Sequence, residues 1–160
     1  YQFLNGAERL LDARTMFFYY ATGITPAMTK SKPGTGPAYA ITVRDSAGNY
    51  LDGGRTHKVT LLGPIPAKNF WSFTVYDNQT RSLLPTDQKL AGIDSTVPGV
   101  RMNPDAGVTV WFGPTAPAGE EGNWVQTMPG KGYSAALRLY GPLEPWFNQS
   151  WRPSDIELQQ

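Results

Sequence analysis

Cysteine is absent from the 160 residues of this chain, which removes disulfides, thiolate nucleophiles, zinc ribbons and iron–sulfur ligation at once. Histidine is nearly absent too, with His57 standing alone. Any Ser-His-Asp arrangement would have to use it, and any metal site would have to be completed by carboxylates and amides. Charge is scarce: charged residues make up 17% of the chain with a formal net charge of +1, against about 25% in typical soluble chains. Lys and Arg occur singly, without a basic run that could follow a phosphate backbone, so nucleic acid is excluded as a partner. No apolar run approaches the ~20 residues that span a bilayer, and no basic start followed by an apolar stretch reads as a signal peptide. A soluble chain with no membrane span is expected.

Turn-forming residues are plentiful, with 17 glycines and 14 prolines, a composition that suits many short strands joined by turns. In residues 1–22 the apolar positions Phe3, Ala7, Leu10, Leu11, Phe17, Phe18 and Ala21 recur at helical spacing. They predict an amphipathic helix ended by Gly23 and Pro26, whose wide aromatic face must pack on the sheet or on another chain. The turn-rich SKPGTGP of residues 31–37 links that helix to the β region. From Ala38 onward the period is two. Tyr39, Ile41 and Val43 share a face, and Asp45–Asn49 reads as a hairpin loop before a returning strand. Val59 and Leu61, then Trp71, Phe73 and Val75, then Val108, Val110 and Phe112, then Ala135, Leu137 and Leu139 continue the alternation. Thr60, Ser72, Thr74, Thr109, Ser134 and Arg138 occupy the opposite faces, the habit of antiparallel sheets with one side buried. The expected fold is mainly β, an antiparallel jelly-roll-like β-sandwich with one N-terminal amphipathic helix. Residues 1–30 form the leading helix and linker, and residues 31–160 the sandwich domain. The tail from Glu144 to Pro153, with Trp146, Phe147 and Trp151, is expected to clamp a sheet edge or the mouth of the sandwich.

Signatures of chemistry are weak. Ser72 lies mid-strand without the Gly-x-Ser-x-Gly elbow that lifts a nucleophile above a sheet. Asp45, Asn49 and Asp52 place oxygens near one another, but their spacing departs from a calcium loop and no closing glutamate comes after them, so turn chemistry explains them better. The pieces GTGP, GG and PGKG form neither a dinucleotide fingerprint nor a Walker loop. Glycosidase chemistry requires two carboxyls about 5 Å or 6.5–9.5 Å apart. Asp77, Asp87, Asp94, Glu120, Glu121 and Glu144 are candidates by position only. No cofactor and no metal are expected. Aromatics are the remaining asset: Trp111, Trp124, Trp146, Trp151, Tyr76 and Tyr140 fall on expected outer faces or in loops. Beside Asp77, Arg81 and Asn123 they could stack on sugar rings, or they could cover sheet edges and meet another subunit.

The segments LNGAERLLDARTMFFYYATGITPAM, AGNYLDGG, FWSFTVYDNQTRS, NWVQTMPGKGY and LRLYGPLEPWFNQSWRPSDIE closely resemble the domain-of-unknown-function 1214 family, the C-terminal half of proteins whose N-terminal half is domain 1254. The resemblance covers nearly the whole chain. It implies a jelly-roll-like sandwich preceded by a helix and normally joined to a second β-rich domain. Such proteins are often exported, which favours a periplasmic or extracellular location, and assembly into oligomers and a loose link to carbohydrate metabolism are suggested for them. The family supplies no agreed catalytic residues. Trp71, Tyr76, Asp77, Thr80, Arg81, Trp124, Pro129, Gly130, Arg138, Tyr140 and Trp151 match its signatures. Of these, Asp77 and Arg81 are polar groups at a strand end, the first place to look for a site, although a buried Asp77–Arg81 pair would serve equally to tie a turn. The opening at Tyr1, within a helical pattern, is expected of a processed product or of the C-terminal part of a longer protein.

The candidate ligand-binding residues are therefore Asp77, Arg81, Tyr76, His57, Trp111 and Trp124. The expected function is a β-sandwich module, not an enzyme, that binds a glycan or small polar ligand and assembles with copies of itself or with an N-terminal partner domain. The alternatives are a carbohydrate-active hydrolase or lyase using a carboxylate pair, or Asp77 with His57, and a structural coat or filament subunit.

Overall fold

A computed structural model describes residues 3–22 and 32–159, with the backbone alone for residues 20–22. The expected helix stops at Gly23 and Pro26 and the start of the linker at Ser31 lie outside the described residues. The chain divides into two compact units, residues 1–32 and 33–160, each described by itself.

In the first unit, β1 (Leu4–Asn5) pairs antiparallel with β2 (Glu8–Arg9), Leu4 opposite Arg9 and Asn5 opposite Glu8. α1 then runs from Leu11 to Thr22. The helix expected from the first residues thus starts only at Leu11. The Asn5-Gly6 pair explains the difference: Gly6 takes a φ of 62°, a left-handed conformation that suits a tight hairpin and breaks a helix. Within the unit, the rings of Phe3 and Phe17 meet edge to face at 5.1 Å.

The second unit holds two four-stranded sheets. Sheet I has the order β3 (Pro37–Thr42), β9 (Tyr133–Pro142), β5 (Ala67–Asp77), β6 (Gly92–Asp94). Sheet II has the order β10 (Glu157–Leu158), β4 (His57–Leu61), β7 (Val108–Gly113), β8 (Trp124–Gln126). The alternating apolar residues meet between them: Val59, Leu61, Val108, Val110 and Phe112 from sheet II, and Trp71, Phe73, Val75, Leu137 and Leu139 from sheet I, are all buried in one core. Phe73 and Phe112 touch edge to face across the gap at 5.5 Å. At roughly 1.5–3 kcal/mol per large apolar side chain taken from water, this layer is the main source of stability. A mainly β, antiparallel sandwich with a helix near the N-terminus is therefore the fold.

Several details differ from expectation. On β3 the inward positions belong to Ala38 and Ala40, while Tyr39 and Ile41 point outward and are exposed. The loop after it is closed by Asp45, whose Oδ1 accepts hydrogen bonds from the Ala47 and Asn49 amides. No full strand returns from that loop. Arg44 bridges Tyr50 and Asp52 bridges Gly132 singly, because Gly53 is drawn tight under the 128–131 turn, where its amide donates to the Lys131 carbonyl at 2.9 Å. β8 runs parallel to β7, with Trp111 beside Trp124, where the other pairings are antiparallel. Beyond β9 comes the short helix α2 (Glu144–Phe147). The tail then clamps the edge of sheet II: the Ser154 amide donates to the Thr60 carbonyl at 2.9 Å, and Trp151 Nε1 to the Leu62 carbonyl at 2.7 Å.

Candidate functional site

The outer face of sheet I is built by the residues that the core alternation leaves out. With Trp71, Phe73 and Val75 turned inward, β5 presents Phe70, Ser72, Thr74 and Tyr76. With Ala135, Leu137 and Leu139 inward, β9 presents Ser134, Ala136, Arg138 and Tyr140. The antiparallel register sets Phe70 opposite Tyr140, and places Arg138 between Tyr39 of β3 and Ser72 of β5. Phe70 and Tyr140 stack at 4.0 Å with an interplanar angle of 16°. The Arg138 guanidinium stands 5.7 Å from the Tyr39 ring and 6.0 Å from the Tyr76 ring, and Nη2 donates to the Tyr76 hydroxyl. This diagonal reach passes over Ala136, whose small side chain is nearly fully covered although it faces outward.

Arg138 has no acidic partner among the described residues. The ion pairs among the described residues are Lys58 with Glu157, Arg101 with Glu120, and Lys131 with Asp77. Arg138 Nε is buried and makes no hydrogen bond. Burial by itself would weaken this cation, but the Tyr76 and Tyr140 hydroxyls outweigh it and hold its pKa above the ordinary value. A half-buried guanidinium ringed by aromatic groups, with no carboxylate on it among the described residues, has the donor chemistry that an anion or other strong acceptor matches. It opens on a depression of about 320 Å³ whose walls include Phe70, Ser72, Leu90 and Asp94. Asp94 is already engaged by the amide and hydroxyl of Thr96.

The sequence candidates are not gathered in one place. Tyr76 belongs to this face. Asp77, the next residue, points inward, and its partner is Lys131 Nζ at 2.8 Å, not Arg81. Its other oxygen accepts from the Gln79 and Thr80 amides. The bond from Lys131 and those amides hold the Asp77 carboxyl below the usual range against the opposing effect of burial. Arg81 takes a φ of 64° and gives its own amide to the Asp77 carbonyl, so it closes the turn through backbone and not through charge. His57 is 1% exposed within the core, its Nδ1 3.2 Å from the Tyr133 hydroxyl. Burial lowers its pKa, and Asp45 opposes that shift without reversing it. Trp111 and Trp124 share the outer face of sheet II, and Trp124 Nε1 donates to the Gly113 carbonyl at 2.9 Å. Among the described residues no three His, Asp or Glu converge as metal ligands, and no helix is long and apolar enough to cross a membrane.

Sequence reasoning singles out Arg138 and Tyr140 as signatures but does not place them in the site. The available signal is an arginine at an outward position of an otherwise apolar strand, two residues before a tyrosine.

Fold and site together define a β-sandwich module with an arginine–tyrosine face on one sheet. The chain belongs to the family described as "Protein of unknown function (DUF1214)", whose profile matches residues 36–144. A crystal structure of the VPA0106 protein from Vibrio parahaemolyticus superposes with a TM-score of 0.69 at 19% identity, over 89% of this chain and 34% of that one. An uncharacterized protein from Burkholderia cenocepacia aligns with a TM-score of 0.46 at 19% identity, over 81% of this chain and 30% of its own. The chain thus spans about a third of these solved proteins, and the first of them shares its fold. The curated proteins include no match.

Proposed function

We propose that the chain is a binding module, not an enzyme, that takes an anionic carbohydrate or similar small polar ligand on the outer face of sheet I. In this reading it works joined to a partner domain or to copies of itself, in an exported protein. The observation that carries the ligand class is Arg138, a half-buried cation without a carboxylate partner among the described residues, standing between the rings of Tyr39 and Tyr76. Aromatic rings stack on sugar faces, and a guanidinium supplies the paired donors that a carboxylate accepts. The greater length of the solved relatives supports a joined partner.

Titration with galacturonate oligosaccharides, followed by amide NMR, tests this reading. Shifts confined to β3, β5 and β9, absent with neutral galactose oligosaccharides and lost in Arg138→Gln, are expected. Losing one charge-assisted hydrogen bond of about 1.5–3 kcal/mol weakens binding roughly 10- to 100-fold. Equal response to acidic and neutral sugars, or an unchanged Arg138→Gln, would refute it.

A further inference from the structure

Between the sheets lies a second concavity, independent of the arginine–tyrosine face. Between edge strand β3 and residues 152–156, which lead into β10, a cavity of about 320 Å³ opens inward to Val59, Phe73, Ala135 and Leu137. By volume it holds about ten waters, yet its floor is entirely apolar. Its existence follows from residue size. Two of its lining residues are small, Ala40 at an inward position of edge strand β3 and Ala135 of β9 opposite Thr42. These two alanines leave space where valine or leucine fills the rest of the core.

The mouth is a slot between β3 and the C-terminal tail. The tail is fastened to β4 by the bond between Ser154 and Thr60, and to the loop after β3 by the Ser46 amide donating to the Ile156 carbonyl at 2.7 Å. Four charged residues rim it. Two are committed: Arg44 donates to the Gly48 carbonyl and the Tyr50 hydroxyl, and Asp45 accepts from Ala47 and Asn49. Arg152 and Asp155 line the mouth without an ion-pair partner among the described residues. Arg152 also borders an adjoining hollow of about 680 Å³ walled by Trp146, Phe147 and Trp151, with Ala40 shared between the two. The two hollows adjoin at Ala40, Arg152 and Pro153.

We infer that this slot is a binding site for an amphiphilic carboxylate, with its apolar body on Val59, Phe73, Ala135 and Leu137 and its carboxylate on Arg152. An apolar cavity with a few polar groups at its mouth is the usual form of a small-molecule site, and a guanidinium matches a carboxylate bidentately. Asp155 at the same mouth would favour an amine instead, so comparing an acid with an amine of equal chain length tests which of the two charges reads the head group.

Decanoate, decanol and decylamine are the probes, titrated into the whole chain by calorimetry and by methyl NMR. Decanoate is expected to shift the methyl signals of Ala40, Ala135, Val59 and Leu137, and to bind more tightly than the other two. Arg152→Gln is expected to weaken decanoate about tenfold, as loss of one charge-assisted contact requires, with decanol unchanged. Ala135→Leu, which fills the cavity, is expected to abolish binding of all three. Ala40→Leu does the same from the edge strand, and serves if Ala135→Leu does not fold. No methyl response to decanoate, or undiminished binding in a folded cavity-filling variant, overturns the site. Decylamine binding as tightly as decanoate overturns the assignment of the head group to Arg152. Arg138→Gln leaves decanoate binding unchanged, so failure here and failure on the outer face are separable.

Discussion

Lys131 Nζ lies 2.8 Å from Asp77 Oδ2, and the same carboxylate caps the amides of Gln79 and Thr80. One inward-facing group thus ties the end of β5 to the turn that leads into β9. The Asp77 carboxyl titrates below its unfolded value, chiefly through the bond from Lys131. Its stabilising effect is therefore full above the unfolded pKa of about 3.9 and is lost as pH falls through the lower folded value. Asp77→Asn should lower the melting temperature at pH 7 and flatten its decline below about pH 4. Thermal melts from pH 7 to 2 check this, and equal slopes for the two proteins would remove the role.

His57 predicts a separate step at milder acidity. Burial lowers its pKa below the ordinary 6.5, so below about pH 6.5 the unfolded chain takes up a proton that the folded chain refuses, and stability falls. Between pH 7.5 and 5.5 the melting temperature should decline in the parent and hold nearly level in His57→Gln. Because this is the chain's one histidine, no other imidazole obscures the comparison.

Phe112 is fully buried and touches the rings of Phe73 and Tyr133. Phe112→Ala should cost about 3–5 kcal/mol, the usual loss for emptying a large core position. Urea denaturation gives the value directly from a shifted midpoint with an unchanged slope. A loss below that range would mean the two sheets close over the gap.

Two adjacent glycines should behave oppositely. A Cβ on Gly53 would stand 2.3 Å from the Met128 carbonyl oxygen, whereas on Gly54 its nearest neighbour is Asp52 Oδ1 at 3.3 Å. Gly53→Ala should destabilise by about 1–3 kcal/mol through backbone displacement, and Gly54→Ala should fall within about 0.5 kcal/mol of the parent. Parallel denaturant curves distinguish them, and a tolerated Gly53→Ala would show that the 128–131 turn gives way.

The period of two in VTVWF, FWSFTVYD and YSAALRLY marks strands and inward residues directly, because each pattern is local. What depends on register is not legible in the same way. The company Arg138 keeps rests on Tyr76, 62 residues away, and the pairing of Asp77 with Lys131 rests on a contact 54 residues apart. Arg81 lies nearer in sequence and so attracts the expectation, yet its positive φ turns it into a backbone element of the turn. The apolar spacing of Phe3 and Ala7 continues into α1 and pulls the expected helix start forward, while the Asn-Gly turn between them overrides it. The face of β3 misleads for a related reason: at this edge strand the larger residues Tyr39 and Ile41 lie outside and alanines inside.

The parallel pairing of β8 on β7 has a consequence for tolerance to length change. Parallel neighbours are usually joined by a crossover of a dozen or more residues, but here the path runs through residues 114–123 and a single 3₁₀ turn, Glu121–Asn123. Asn123 fixes the end of that path from both directions, accepting from the Arg101 amide and donating to the carbonyls of Arg101 and Thr109. The connection acts as a gauge block. One residue added or removed would slide β8 along β7, part Trp111 from Trp124, and turn Val125 out of the core, so this loop should accept substitutions far more readily than insertions.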